Sequence, residues 1–567
     1  MGTFLRSMAM GGALGACLLV PTAASACGGL FCNTAQPVNQ AAESIIFADN
    51  GDGTTTAVIQ IQYQGPSTSF SWLLPISSVP KTDDDIGIAS NLALQRLQTA
   101  TNPNYALNVQ VEGTCMDESS AGPGCGGASE DAAASFRPGA RSSDPTEGGV
   151  TVEASGVVGA FEWSVISLDK TLADPADAAV EWLKSNGYDV PPGAPQLLGP
   201  YLKQGLYLLA LRLTKGADSG SIRPIVLTYA GTQPSIPVKL TAVAANDDMG
   251  VLTYVLGKSR AVPENYLSLE LNEARINWFN AASNYNAVVT DAANDAGGQG
   301  FVTELAGATS ALASVIWTPT DEASWSDLQL AEHDSARGVF QRAQALYGTW
   351  DGFWDATRAA LTLVDGETLD AFKQCPNCYP VQLEPAAYLA QLDKQVIEPV
   401  KRVQALVDAH PEITRLYTTL SADEMTLDPL FTFNAGLPDL SNVHTATRVI
   451  ACNPSVSQFE APWRIELPQG GVVWGTAADS NNASWPTELN GLPPNRTISR
   501  TGSSGAGKVL EDNQGAITTQ LNAYNKGKSA QYSSSGGCVA TRRGRPSGAL
   551  LAALVLAAAV IRRRRRS

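Results

Sequence analysis

The chain has 567 residues, of which 44% are hydrophobic and 16% charged; this excludes a disordered protein and is too long for one compact core, so two or three packed regions are expected. Its formal charge is −16, but nine of the 38 basic residues lie before position 27 or after position 537, where there are no acids, leaving 29 basic against 54 acidic residues and a charge of −25 between. So acidic a surface repels phosphate backbones, which excludes nucleic acid as a partner.

Residues 1–26 read as a signal peptide. Arg6 supplies the positive start, Met8 to Val20 a mostly apolar run, and Ala24-Ser25-Ala26 a small-residue cleavage site before Cys27. Leu14-Gly15-Ala16-Cys17 also has the form of a lipidation box. Cutting there leaves too short an apolar stretch ahead of it, so Ala26 is the expected site.

A β-rich α+β region is expected over 27–300. Ser44 to Ala48 and Thr56 to Tyr63 flank the turn-rich Asp49-Asn50-Gly51-Asp52-Gly53, which predicts a hairpin. In its second strand Ile59, Ile61 and Tyr63 make one apolar face, and Phe70 to Ile76 suits a third strand. Ala89 to Thr99 suits a helix and Tyr105 to Val111 a strand. Residues 115–149 are dominated by Gly, Ser, Ala and acids and read as a flexible inserted loop. Phe161 to Ile166 is strand-like. Asp174 and Pro175 then open a helix that ends at Gly187, with Val180 and Leu183 facing inward. Further strands are expected at Leu206 to Leu213, Arg223 to Tyr229, Val238 to Ala244 and Val251 to Leu256.

Residues 301–442 read as a mainly helical region. Helices are expected at Ala331 to Tyr347, Trp354 to Leu363 and Ala386 to Ala409. In the last, Leu389, Leu392, Val396, Val400, Val403 and Val407 step by three or four, and Pro399 should kink it. A small strand-containing piece follows at 443–498, then a Ser/Gly-rich linker at 499–537.

Residues 538–567 read as an anchor. Gly537-Cys538 leads to an apolar run, Ala549 to Ile561, and five arginines. Thirteen residues rise about 20 Å as a helix, short of a bilayer core of roughly 30 Å, and the arginines would stay on the cytoplasmic side. Gly537-Cys538, the apolar run and the Arg cluster resemble the MYXO-CTERM sorting tail of myxobacterial surface proteins, which implies cleavage near Cys538 and anchoring at the outer envelope. The membrane, met through this tail, is therefore an expected partner.

A second resemblance lies in the body of the chain. Cys27-Gly28-Gly29-Leu30-Phe31-Cys32, Ile59-Gln60-Ile61-Gln62-Tyr63 and Trp72-Leu73-Leu74-Pro75 look like the opening of a bacterial exported family catalogued as domain of unknown function 2330. Gly187-Tyr188-Asp189-Val190-Pro191, Phe301-Val302-Thr303-Glu304 and Thr414-Arg415-Leu416-Tyr417-Thr418 extend it, as do Met425 and Asp428-Pro429, so that it runs from about Cys27 to His444. It implies no activity.

Candidate chemistry is sparse. Outside the two end segments there are seven cysteines, and in an exported protein close pairs read as disulfides. Cys115 and Cys125, inside one loop, are expected to bond to each other. Cys375-Pro376-Asn377-Cys378 has redox spacing but follows a helix instead of opening one, so a structural disulfide, internal or to Cys452, is expected. Gly502 to Lys508 has phosphate-loop spacing, but Val509 stands where the magnesium-binding hydroxyl belongs. The acids around Asp49 and at Asp83-Asp84-Asp85 lack a calcium ligand series and suit turns. Arg415 and Asp428 suggest a structural ion pair. Of three histidines none has zinc spacing; His410, before a proline, should cap a helix end, and His444 is the one functional candidate. No cofactor is implied. The expected role is a non-catalytic surface or binding module, with its ligand unidentified. The alternative is an envelope hydrolase using paired carboxylates, which a buried pair of acids at the base of a cleft would favour.

Overall fold

The computed structural model describes residues 39–529, apart from 65–70, 82–84, 117–148, 215–221, 477–484 and the single positions Lys170, Ala244, Ala281 and Asp365. The fold is α+β. The expected hairpin forms from β1 (Asn39–Asp49) and β2 (Thr54–Gln64). At its turn Asp49 accepts from the Gly51 amide and Asp52 from Thr54, while Gly51 and Gly53 take positive φ. These acids thus serve the turn. Both faces of β2 are covered, with Ile59 and Ile61 buried on one side and Val58 on the other, because the hairpin lies inside a sheet sandwiched between two layers.

That sheet has ten strands. In sequence order they are β1, β2, β4 (Ile86–Ile88), β9 (Ile225–Ala230), β10 (Ala245–Gly257), β12 (Leu267–Leu271), β13 (Gly300–Ala308), β14 (Glu412–Leu420), β19 (Asn495–Arg500) and β20 (Lys508–Asp512). Their spatial order is β20-β19-β12-β13-β14-β10-β1-β2-β9-β4, with β1–β10 and β12–β13 parallel and the other pairs antiparallel. Against one face packs an antiparallel sheet of β3 (Ser71–Ile76), β6 (Val150–Val158), β7 (Phe161–Leu168) and β8 (Tyr207–Leu213), in the order β3-β8-β7-β6, while β11 (Ala261–Pro263) and β15 (Phe431–Phe433) pair separately. Trp72, Phe161 and Leu209 from it meet Ile45, Phe47 and Ile59 in one core. The outer face of this small sheet is covered by α2 (Pro175–Ser185) and α3 (Ala194–Lys203).

The other face of the large sheet carries α1 (Asn91–Thr101) and a run of helices between Pro319 and Asp408. The long helix expected there is interrupted where the proline demanded it. An α-helix over Pro385–Leu392 passes into a π-helical turn at Asp393–Ile397, and a second α-helix, Glu398–Asp408, carries Pro399 in its first turn. Pro399 cannot donate to Gln395 O four residues back, and Arg223 Nη1 donates to that carbonyl instead at 2.7 Å. Leu389, Leu392, Val396, Val400, Val403 and Val407 are all buried, as their spacing predicts.

Several boundaries differ from expectation. The region 301–442 contributes β13 and β14, two central strands of the sheet, because Glu304 and Arg415 face each other across them and lower the apolar signal of both. The strand expected at Val238 to Ala244 does not form over its described residues: Val238–Thr241 is a helical turn, its Lys239 amide donating to Asp428 while Val238 and Leu240 enter different cores. The stretch 499–537 is no plain linker among its described residues. It holds β20 and the last helix, Gln514–Asn525, whose Ile517 and Leu521 are buried, and the Asn434 side chain pins the turn at Gly502 and Gly505. The strands after 442, β16 (Val443–Ala451), β17 (Trp463–Glu466) and β18 (Val472–Gly475), form a sheet completed by the N-terminal β5 (Asn104–Glu112), parallel to β16.

That pairing also corrects the disulfide expected between Cys115 and Cys125. Cys115 is bonded to Cys452. The ends of β5 and β16 run side by side, with the Cys452 amide donating to Glu112, which sets the two cysteines together across 337 positions. Cys125, like Cys27 and Cys32, lies outside the described residues. Cys375 and Cys378 are bonded to each other.

Candidate functional site

The cleft that collects chemistry lies where β12, β13 and β14 meet the β5–β16 pair. In the β5–β16 register His444 stands opposite Tyr105, and the two rings stack with centroids 4.5 Å apart and planes 13° from parallel. Directly after β12, Asn272 accepts on its side chain from the Ala274 amide and caps a 3-10 turn, Glu273–Arg275. Trp278 and Trp485 hold that turn by donating to the carbonyls of Glu273 and Ala274. Glu273 is thereby aimed at His444, whose Nδ1–H donates to its Oε1 at 2.5 Å. The Glu273 side chain is 4% exposed and His444 25%, so the carboxylate lies behind the ring and the ring meets solvent. Glu273 Oε2 has no hydrogen-bond partner, and His444 is the group that compensates this buried acid.

A second buried pair lies deeper. Arg415 on β14 bonds Glu304 on β13 and also reaches Gln98 O, Thr101 Oγ1, Tyr254 OH and Asn102 Oδ1. Burial pulls the guanidinium down, but Glu304 and the surrounding tyrosines outweigh this and keep its pKa above the ordinary value. Tyr285, at the start of the helix Tyr285–Asp295, donates to the other Glu304 oxygen at 2.6 Å. The Tyr105 phenol is raised by burial first and then by Glu273 and Glu304, so it stays protonated between the two acids. A third acid, Glu270, accepts from Arg496 at 2.7 Å and Thr497 at 2.9 Å.

Tyr105, Glu270, Glu273, Tyr285, Glu304 and His444 all line one cavity of about 310 Å³. A buried acid pair, Glu273 and Glu304, is therefore present at the cleft with the more exposed Glu270 beside it, and Glu304 and Glu270 are each occupied by an arginine. Among the described residues no group of three or more His, Cys, Asp or Glu side chains is arranged to hold a metal ion.

Of the residues singled out from sequence, His444 falls in this cleft. Arg415 falls beside it, but paired with Glu304 instead of Asp428, which accepts from Tyr201 at 2.7 Å on the far side of the sheet. His410 caps as expected, its ring nitrogens 2.8 Å from Leu406 O and 3.0 Å from Asp49 O. Cys375 and Cys378 lie in the helical layer away from the cleft, and Ala26, Cys27 and Cys538 are outside the described residues. Sequence reasoning missed Tyr105, Glu270, Glu273, Tyr285 and Glu304 as a set. The only signal for any of them was Glu304, within the family-like Phe301-Val302-Thr303-Glu304.

Fold and cleft together define an α+β protein with an acid-lined, histidine-bearing cavity at the seam of two sheets. A family model described as an uncharacterized protein conserved in bacteria (DUF2330) matches residues 21–319, just over half of the chain, and the chain belongs to that family. The match is shorter than the resemblance read from sequence. Tyr105, Glu270, Glu273, Tyr285 and Glu304 fall within it, whereas Arg415, His444 and the stretches from Thr414 to Pro429 fall beyond it. No curated protein and no solved structure matches the chain.

Proposed function

We propose that this chain is an exported protein anchored in the cell envelope through its C-terminal tail, and that it acts there as a non-catalytic binding module whose ligand site is the His444 cleft. Export and anchoring are supported by the leader ending at Ala26 and by Gly537-Cys538 with its apolar run and arginines, which resemble the MYXO-CTERM tail. The observation that carries the binding reading is the His444 ring, stacked on Tyr105 and held by buried Glu273 at the wall of a 310 Å³ cavity. A rigid ring with one nitrogen committed and its edge toward solvent is a preorganised polar contact. Glu304 and Glu270 are each bound by an arginine. Neither is therefore free to serve as one of the two unpaired carboxylates that a two-carboxylate hydrolase sets on either side of the bond it cuts.

A histidine oriented by a carboxylate is also the arrangement of a general base, and this favours a hydrolase as the second reading. His444→Gln separates the two. Glutamine keeps a donor for Glu273 and removes the titratable ring. In a deletion strain the variant should fold, reach the envelope and restore most of the lost phenotype. A general base contributes on the order of 10²–10⁴-fold in rate, whereas losing one polar contact costs binding only about 0.5–1.5 kcal/mol, so a folded, correctly located variant that behaves like the deletion would favour the hydrolase instead.

A further inference from the structure

A second cavity, of about 480 Å³, opens beside the first. Gln469 lines both. It sits in the tight turn between β17 and β18, where Gly470 and Gly471 both take positive φ. Its Oε1 accepts from the Glu273 amide and its Nε2 donates to Leu271 O, so one side chain braces the His444 cleft and walls the second cavity.

The chemistry of the two cavities differs. The second has no carboxylate in its lining. Its uncharged polar side chains are Thr518 and the carboxamides Asn272, Gln469, Gln514, Asn522 and Asn525, beside the indole of Trp474 and over the apolar Ile517 and Leu521; Asn272 and Gln469 are committed to backbone groups at both ends. Its one charge, Arg496, is already matched by Glu270 at 2.7 Å and Gln514 Oε1 at 3.0 Å. Asn525 is spent on the backbone of Val472 and Trp474. Among the described residues the Asn522 amide and Gln514 Nε2 make no hydrogen bond. They lie just over two turns apart on the same helix and line the cavity together with Trp474 on β18.

We infer that this cavity is a second subsite, adjoining the His444 cleft with Gln469 as the shared wall, and that it takes an uncharged polyhydroxylated ring, so that the two subsites together bind a neutral oligosaccharide. Hydroxyl groups both donate and accept, as carboxamides do, whereas an anion would find the arginine occupied and a cation would find no acid. The apolar C–H face of a sugar ring suits the flat indole, and the volume suits one small ring. The inference rests on the cleft being the ligand site.

The experiment is calorimetric titration of the full chain with N-acetylglucosamine and glucose, with their trisaccharides chitotriose and cellotriose, and with a charged pair, oligogalacturonate and spermidine. At least one neutral trisaccharide should bind on the order of tenfold tighter than its monosaccharide, the scale of one aromatic platform with its hydrogen bonds. Trp474→Ala should remove that gain and leave the monosaccharide bound. Trp474 also meets the Arg464 guanidinium at 5.9 Å, so Asn522→Ala, at an exposed position, serves as a second variant and should reduce the gain without altering the melting temperature. A chain-length gain that survives both variants overturns the inference, as does the absence of neutral saccharide binding. If a charged probe binds instead and weakens in His444→Gln, the cleft remains the ligand site and the second subsite falls. If no probe binds, both fall.

Discussion

Glu43 lies on β1 with only 5% of its surface exposed, and its Oε2 has no hydrogen-bond partner. Burial alone pushes its carboxyl from the ordinary 4.5 up to about 7. The folded protein therefore holds this proton more tightly than the unfolded chain does. The cost is absent below about pH 4.5, grows as pH rises toward 7, and is complete above it. Glu43→Gln should stabilise the protein at pH 8 by up to about 3 kcal/mol and leave it nearly unchanged at pH 4.5. Urea midpoints at the two pH values check this, and equal shifts at both would show that the carboxyl does not titrate as the burial implies. His444 and Glu273 present the opposite case, an acid buried with a partner. Removing the ring outright by His444→Ala would strand the carboxylate and cost several kcal/mol, whereas His444→Gln retains the donor. Neither acid announces itself in sequence. Burial is set by what packs over a residue, and for Glu273 the covering groups come from β5, β16 and the segment around Trp485.

Among the elements, the β5–β16 pair joins an early and a late part of the described chain. Its parallel register sets Tyr105 against His444 at one end and Cys115 against Cys452 at the other. The bridge closes a loop of 337 positions, far longer than the nine-residue loop expected from local spacing. By chain entropy it should contribute about 5 kcal/mol, an upper value for such cross-links. Peptide mapping without reduction should recover Cys115 joined to Cys452, and Cys115→Ser should lower the unfolding free energy by about 2–5 kcal/mol. A peptide joining Cys115 to Cys125 would overturn the assignment. Elements with local signals were legible: the turn at Asp49 to Gly53, the Pro175 start of α2 and the break at Pro399 depend on residues within a few positions of one another. β13 and β14 were not. Their cross-strand Glu304–Arg415 pair inserts charges into runs that would otherwise read as strands.

For the molecule as a whole, helices, small sheet, large sheet and helices are stacked in succession, with the His444 cleft beside this stack at the seam with the β5–β16 sheet. Among the described residues no helix is long and apolar enough to cross a membrane; the tail from Cys538 lies outside them. The proposed anchoring therefore rests on the terminal segments, and it has a direct check. Intact-mass analysis of protein from its native envelope should show loss of residues before Cys27 and of the arginines after Ile561, and a mature form retaining both ends would remove the case for processing. What the sequence by itself determined is the local and the compositional: an acidic α+β chain, its family, its tight turns, its helix starts and breaks, and which helix faces are apolar. Only the tertiary structure decided the cleft, the Cys115–Cys452 bridge and the Glu304–Arg415 pair. The physical reason is sequence separation. The Glu304–Arg415 pair, the Cys115–Cys452 bridge and the Tyr105–His444 stack join residues 111, 337 and 339 positions apart, and no spacing rule along a chain encodes which distant strands will lie side by side.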